Sequence, residues 1–374
     1  MGRKEKIAGS IVRAITQTNE VQKGPRSLLA SILAFLTAFF SLYDLVLRKI
    51  RPADYARLRQ QHWGINDNDY MQSFQQEDGD EAGKSPLKAI GDMGFSGSTF
   101  YSTADEKYLV KSLPRHSEHS FFSEDLMTPY VGYMASHPSS LLVRILGFLA
   151  VTGPSIGRVL RCAPSHHIVM DNIMHGREKA KEKGEAAWET WDLKPTSYFY
   201  PERDIAGGAL TSDATKKKLA DEFHDRIVLH REQAEDFFAS LDQDTRLLAE
   251  YNAVDYSLFL VRMKAPRREG APAHPRQTES GPAVVPARPP SGSPTPPSWR
   301  TGVASADGKY IFRASILDFF WAKHKVHAKA MTVLIKLWNV LISRHGNMSI
   351  TTTPDEYRQR FLNMCRDMVE IIDE

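Results

Sequence analysis

The chain reads as an α+β protein of two lobes, an antiparallel sheet carrying a helix in the first and a second sheet with helices in the other. Three observations predict this. From Leu87 to Ile173, short runs of β-branched and aromatic residues alternate with turns of Gly, Ser and Asp, the signature of hairpin-connected strands. From Thr211 to Tyr251, the apolar positions Leu219, Phe223, Ile227, Ala234, Phe238, Leu241 and Leu248 recur at a helical period. With 374 residues, and about 100–200 residues per domain, the chain is long enough for two cores.

Composition narrows the function classes. The formal net charge of +3 is too small for a dedicated nucleic-acid binder, although clustered basic residues leave room for a locally positive face. The two cysteines, Cys162 and Cys365, lie far apart without paired ligand spacing. Neither a disulfide framework nor a zinc site is therefore expected, and a reducing, cytosolic setting is the default. Ser27 to Leu47 is the one stretch with the roughly 20 apolar residues that a membrane span needs, yet it contains Asp44 and follows polar residues of mixed charge with no cleavage signature. That pattern suits a buried or oligomer-interface helix, with an interfacial membrane helix and a true span as alternatives. Arg48, Lys49 and Arg51 directly after it suit an anionic membrane surface.

The elements follow in order. Residues 1–85 form an N-terminal extension with the apolar helix 27–47 and an entry helix over Pro52 to Arg59 opened by its proline; Gly64 to Asp69 is a turn and Gln75 to Lys84 a polar loop. Residues 86–175 make the first, nucleotide-binding lobe. It contains a strand from Leu87, a glycine turn at Gly91, Gly94 and Gly97, strands over Thr99 to Tyr101 and Lys107 to Lys111, a helix over Glu124 to Ala135, and strands over Leu141 to Val151 and Ser165 to Ile173. Residues 176–262 open the second lobe with a charged, mobile connection over 176–191 and the helical stretch. Residues 263–308 differ in kind: they hold ten of the 21 prolines and few apolar side chains, so they cannot offset their ordering entropy and are expected to be disordered. Residues 309–374 complete the lobe.

Within this order, four groups carry chemistry. Asp255, in Asn252 to Leu260, and Asp318, after Phe312 to Leu317, are carboxylates among apolar residues. Carboxylates are almost never buried unpaired, so each is expected to meet a hydroxyl or a metal. They stand 63 positions apart, but 46 of these belong to the insertion, and the remaining 17 fit a strand–turn–strand interval that returns both to one place. Gly94, Gly97 and Ser98, with Ser96 between them, let backbone N–H groups approach phosphates, or form simply a tight turn. Lys111 ends a buried strand, where its ammonium needs an anion: nucleotide phosphates, or Glu124, itself also suited to a helix first turn. Asp192 and Lys194 lie two apart in an extended stretch and share a face; they reach phosphates together or form a surface ion pair. The expected metal is magnesium, since carboxylates and phosphates are hard ligands and no His/Cys cluster is present. His166, His167, His224 and His230 read as structural or solvated. Glycine turn, lysine, acidic base and acidic metal ligand, in that order, are the parts of a phosphoryl-transfer enzyme.

In this order the residues resemble the catalytic domain of phosphatidylinositol phosphate kinases, from Tyr55 to Phe361. Arg57-Leu58-Arg59 through Gly64 to Tyr70 resembles the family's entry motif, Gly94 to Phe100 its nucleotide loop, Val110-Lys111 its ATP-contacting lysine and Ser123-Glu124-Asp125 its helix acid. Asp192-Leu193-Lys194 is similar to the start of Asp-Leu-Lys-Gly-Ser, Val254 to Leu258 to Met-Asp-Tyr-Ser-Leu, Ile316-Leu317-Asp318 to the Ile-Ile-Asp metal motif, and Pro354 to Phe361 to the closing Tyr-x-x-Arg-Phe helix. The resemblance implies a two-lobed kinase-like fold, ATP with Mg2+, and transfer to the headgroup of a phosphatidylinositol monophosphate, giving a bisphosphate, by a cytoplasmic protein associated peripherally with an anionic membrane. Lys111 would bind ATP phosphates with Glu124 as partner, the loop Gly94 to Ser98 and Asp192 would serve the nucleotide, and Lys194 would support phosphates. Asp255 would act at the acceptor hydroxyl and Asp318 would hold the metal. Lys325, Lys329, Lys336 and Arg344 fall where the resemblance places a membrane-facing segment. A homodimer stays open, and no nucleic acid is expected.

Two departures bear on activity. Pro195 stands where the family has glycine, removing an N–H and fixing φ near about −65°, and the segment after Asp318 is shorter than the family's activation segment. The competing reading is a weak or non-catalytic member that binds phosphoinositides or scaffolds a partner through the insertion and the N-terminal helix. A protein kinase or soluble inositol phosphate kinase is a third; the lack of a His-Arg-Asp or Asp-Phe-Gly triplet near Asp255 or Asp318 weighs against the former.

Overall fold

A computed structural model describes residues 2–17, 43–75, 86–91, 98–152, 163–195, 221–265, 298–322 and 353–373. They fall in two compact units, one within 1–138 and 143–175, the other from 139–142 and from 176 onward.

The first unit is built on six strands, β1 (Leu47–Ile50), β2 (Leu87–Gly91), β3 (Phe100–Thr103), β4 (Tyr108–Leu113), β5 (Ile145–Val151) and β6 (His166–Asp171). They lie in the order β1-β5-β6-β4-β3-β2, every neighbouring pair antiparallel. The hairpin β3–β4 forms where expected, but β4 runs on to Leu113, so Lys111 lies within the strand and not at its end. Its turn is closed by Asp105, whose carboxylate accepts from Thr103 Oγ1 at 2.6 Å, Ser73 Oγ at 2.7 Å and Lys107 N at 3.1 Å. Burial alone would raise this carboxyl, but those bonds hold it below its ordinary value. The entry helix, Pro52–Arg57, runs on through a π turn at Leu58–His62. There Arg59 donates to Asp67 at 2.7 Å and to the Leu146 carbonyl at 2.5 Å while lying over the Tyr70 ring. The turn expected over Gly64 to Asp69 is shorter: the Asn66 side chain accepts from Asn68 N at 2.8 Å and starts a helix at Asp67.

Three other expectations change. A helix over Arg3–Thr16 had no clear sequence signal; it buries Ile7, Ile11 and Ile15 and packs on both β1 and β2, the two edges of the sheet. The helix expected from Glu124 belongs to a longer run, His116–Phe121, a π turn Phe122–Leu126 and Met127–Ser136. The apolar helix does not reach Leu47, which opens β1, and Tyr43 to Val46 are not helical; the rest of that stretch lies outside the described residues. No helix among the described residues is long and apolar enough to cross a membrane.

The second unit contains β7 (Glu189–Leu193), β8 (Ile227–His230), β9 (Ala253–Val254), β10 (Ser257–Lys264), β11 (Val303–Ala304), β12 (Tyr310–Leu317), β13 (Trp321–Ala322) and β14 (Val369–Ile372). Four form a sheet in the order β11-β12-β10-β7, all antiparallel; β13 pairs β9 and β14 pairs β8, the latter in parallel. Helices Arg231–Glu250 and Pro354–Asp367 pack together. Ala234, Phe237, Leu241, Thr245 and Leu248 make one buried stripe on the first, at the spacing of a helix face.

The charged connection of 176–191 proves to be a helix, Arg177–Glu182, followed by most of β7. Ile227 to His230, part of the helical period, form a strand because β14 lies beside them; the helix starts only at Arg231. The expected disordered range is too wide at both ends. Met263 and Lys264 finish β10, and after Ser298 the chain is folded: Trp299 is buried with its ring 4.0 Å from that of Phe237, and Arg300 Nη2 donates to the carbonyls of Ser140 and Leu142 at 3.1 and 2.9 Å.

Two predictions follow from the packing. Trp299→Ala costs about 3–5 kcal/mol, as for other buried tryptophans, and a thermal unfolding midpoint equal to wild type contradicts the packed assignment. His167 is fully buried on β6, and burial holds its imidazole at about 3, against 6.5 in an unfolded chain. Below pH 6.5 the unfolded state takes up a proton that the folded state refuses, so stability falls with acid, by up to about 1.4 kcal/mol per pH unit, until about pH 3. In His167→Leu the fall in midpoint between pH 7 and 4 is shallower by that one proton; an unchanged slope refutes the assignment.

Candidate active site

The second unit assembles its polar residues where a ladder is interrupted. β10 and β12 pair from Lys264–Tyr310 to Ser257–Leu317, and the two chains rejoin as β9 and β13 with Val254 opposite Trp321. Between the two ladders, Asp255 and Tyr256 on one chain face Asp318, Phe319 and Phe320 on the other, a bulge. Both expected carboxylates lie in this gap, with left-handed backbones at φ +68° for Asp255 and +63° for Asp318. A residue other than glycine there costs about 1–2 kcal/mol, and such strain persists where the surroundings over-determine it.

Lys194 stands one residue beyond β7, which pairs with β10 through Leu193–Leu258 and Asp192–Phe259. Its Nζ lies 2.7 Å from Asp255 Oδ1, the two side chains being 13% and 25% exposed. Lys194 thus pairs directly with Asp255, not with Asp192. Asp192 keeps contact with solvent, yet the protein atoms around its carboxyl push its pKa above the ordinary value. The Ser257 hydroxyl and the Lys194 ammonium pull it down, and the charges of Asp318 and Asp221 push it up further. Asp192, Lys194, Asp255, Ser257 and Asp318 therefore occupy one end of one sheet. Ser257, fully buried, was not foreseen; its place beside Asp255-Tyr256 was the available signal. Pro195, also buried, follows Lys194 directly. Lys194 further borders a cavity of about 580 Å³ lined by Phe223, Arg226, Arg360 and Met364 among others, a volume in the small-ligand range. Its bases are matched by Asp221, Glu222, Asp225 and Asp367, so its charge alone selects no anion.

Among the described residues no group of three or more His, Cys, Asp or Glu side chains is arranged to hold a metal ion. Mg2+ is ordinarily held by one or two carboxylates together with substrate phosphates. Asp318 offers hard oxygen ligands, and its charge is felt by Asp192, a repulsion that a divalent cation relieves. The residues fit magnesium.

The other predicted residues belong to the first unit. Lys111 is buried on β4, opposite Phe100 of β3, with Nζ 5.5 Å from that ring's centroid. Ser98 is buried just ahead of β3, where Thr99 N donates to Ser112 Oγ at 2.8 Å and Ser112 N to the Thr99 carbonyl at 3.0 Å. Ser98 thereby joins the hairpin that carries Lys111. Glu124 lies on the exposed side of the π turn Phe122–Leu126. Gly94, Ser96 and Gly97 lie outside the described residues, as do Lys325, Lys329, Lys336 and Arg344.

Comparison with known proteins gives the family of the chain. The family model for phosphatidylinositol-4-phosphate 5-kinase matches residues 81–368. A Dictyostelium discoideum protein described as a probable phosphatidylinositol phosphate kinase is 29% identical over 196 residues, 52% of this chain and 24% of that protein. The phosphatidylinositol 4-phosphate 5-kinase type-1 beta of Gallus gallus is 26% identical over 200 residues, 53% of this chain and 32% of its own length. The Mus musculus phosphatidylinositol 4-phosphate 5-kinase-like protein 1 is 25% identical over 208 residues, 55% of this chain and 46% of its own. The chain thus spans less than half the length of each of these relatives.

Proposed function

The chain belongs to the phosphatidylinositol-4-phosphate 5-kinase family, and we propose that it transfers the γ-phosphoryl group of ATP to the inositol headgroup of a phosphatidylinositol monophosphate, giving a bisphosphate, as a peripheral protein at an anionic membrane surface. The observation that carries this reading is the strained ladder gap with Asp255 paired to Lys194 and Asp318 beside them. Glycine would adopt these left-handed conformations without strain, and the two carboxylates stand there instead, at one interruption of the ladder.

In this reading Asp255 accepts the proton of the attacking headgroup hydroxyl, whose oxygen forms the new bond to phosphorus as the bond to the ADP oxygen breaks. Lys194 holds the Asp255 carboxylate in place and draws phosphate charge toward it. Asp318, with Asp192 nearby, would hold Mg2+. When bound, Mg2+ supplies charge neutralisation on the ATP phosphate oxygens. Lys111, with Glu124 as its partner, and the loop of Gly94, Ser96, Gly97 and Ser98 serve the ATP phosphates. A second reading, phosphoinositide binding with little or no transfer, is favoured by one observation, the buried Pro195 in place of a glycine next to Lys194.

Incubation with γ-labelled ATP, Mg2+ and vesicles of each phosphatidylinositol monophosphate, followed by headgroup analysis, separates the two. The kinase reading expects labelled bisphosphate from wild type. It expects transfer by Asp318→Asn to fall about 10²–10³-fold, the typical cost of one electrostatic transition-state contact. Asp255→Asn lowers turnover and spares ATP affinity, because its effect is confined to the transition state. No label on any lipid supports the binding reading, and an Asp318→Asn protein with wild-type turnover at saturating Mg2+ removes that residue from the metal role.

A further inference from the structure

We infer that Tyr357 is a positioning residue for Asp255: its hydroxyl fixes the peptide that follows the carboxylate and so maintains the left-handed turn. The gap in the ladder that holds Asp255 also leaves Tyr256 outside any strand pairing. Its carbonyl would be a buried acceptor without a partner, a state that costs about 1–3 kcal/mol. Tyr357, 101 residues further along, donates its hydroxyl to that carbonyl.

The same helix secures the ring. Tyr357 and Phe361, one turn apart, meet the Tyr256 ring edge-on with centroids at 4.7 and 4.9 Å, and all three side chains are fully buried. The helix is itself tied down. Thr353 Oγ1 accepts from Glu356 N at 3.1 Å at its start, and Arg358 donates to Asp242 of helix Arg231–Glu250 at 2.5 Å. Asp255 is therefore held from two sides, its backbone through Tyr256 by the closing helix and its carboxylate through Lys194 by the end of β7. Reacting groups must keep within about 0.5 Å of their productive places, so a looser peptide at Tyr256 is expected to lower turnover without weakening ATP binding.

The catalytic half of this inference rests on the kinase reading, and the test keeps the two apart. Tyr357→Phe in the full-length chain keeps the ring contacts and deletes only the hydroxyl. Hydrogen exchange is read at the amides of Asp255 to Leu258 without substrate, and transfer is read with ATP, Mg2+ and vesicles containing phosphatidylinositol 4-phosphate. The expected result is exchange at those amides about tenfold faster, with exchange in Arg231–Glu250 and the thermal midpoint unchanged. Turnover is expected to fall about tenfold, less than the 10²-fold that a 1 Å displacement can cost, at an unchanged KM for ATP. Unchanged exchange at Asp255 to Leu258 overturns the inference, as does faster exchange spread through the whole unit with a lowered midpoint, which makes Tyr357 a packing residue. Wild type that labels no lipid defeats the kinase reading alone, and the exchange result then decides the positioning role by itself.

Discussion

The pairing of Ser257 with Leu317 is the constraint on which the rest of the second unit depends. Side chains alternate along a strand, so a slip of one residue would send every buried position of β10 and β12 to the opposite face. Leu258 and Leu260 on one strand and Phe312, Ala314 and Ile316 on the other share one face and are fully or almost fully buried, whereas the opposite face carries Ser257, Arg313 and Ser315, and that difference between the faces holds the register. With the register set, both chains leave the ladder at one level. Asp255 and Asp318 emerge together although 63 positions separate them.

What the interruption costs locally is offset by neighbours that have nothing to do with charge. Two aspartates in left-handed conformations are held between the β10–β12 and β9–β13 ladders, and Tyr256 between the rings of Tyr357 and Phe361. Lys194 then needs only to stand one residue beyond β7 to reach Asp255. β10 ends at Lys264, about 24 Å along the strand from Ser257 at roughly 3.4 Å per residue.

The parts legible in the sequence were those whose signals are local. Phe100 to Leu113 shows its hairpin because two apolar strands flank a turn, and Asp255 and Asp318 show themselves as carboxylates set among apolar residues. Ile227 to His230 do not, because their strand depends on Val369 to Ile372, 142 positions away, while their own spacing also fits a helix. Trp299 and Arg300 were hidden by the prolines ahead of them, although the burial of one and the hydrogen bonds of the other are settled by Phe237 and the Ser140 to Leu142 segment. The contribution of Tyr357 could not be read at all. It answers a carbonyl left without a strand partner by a bulge, and a bulge is a property of two paired chains.

The family model over residues 81–368 identifies the family, and the similarity of 29% or less to the relatives named above, over about half of this chain, leaves the chemistry to the site. The central claim is that the interrupted ladder places Asp318 to hold the metal of bound nucleotide, with Asp255 left for the acceptor. A crystal of the chain with Mn2+ and a non-hydrolysable ATP analogue tests this directly through the anomalous signal of manganese. The account predicts a peak in coordination distance of the Asp318 carboxylate, with Asp255 still paired to Lys194. A peak elsewhere with Asp318 uncoordinated, or nucleotide bound with manganese on Asp255, would contradict it.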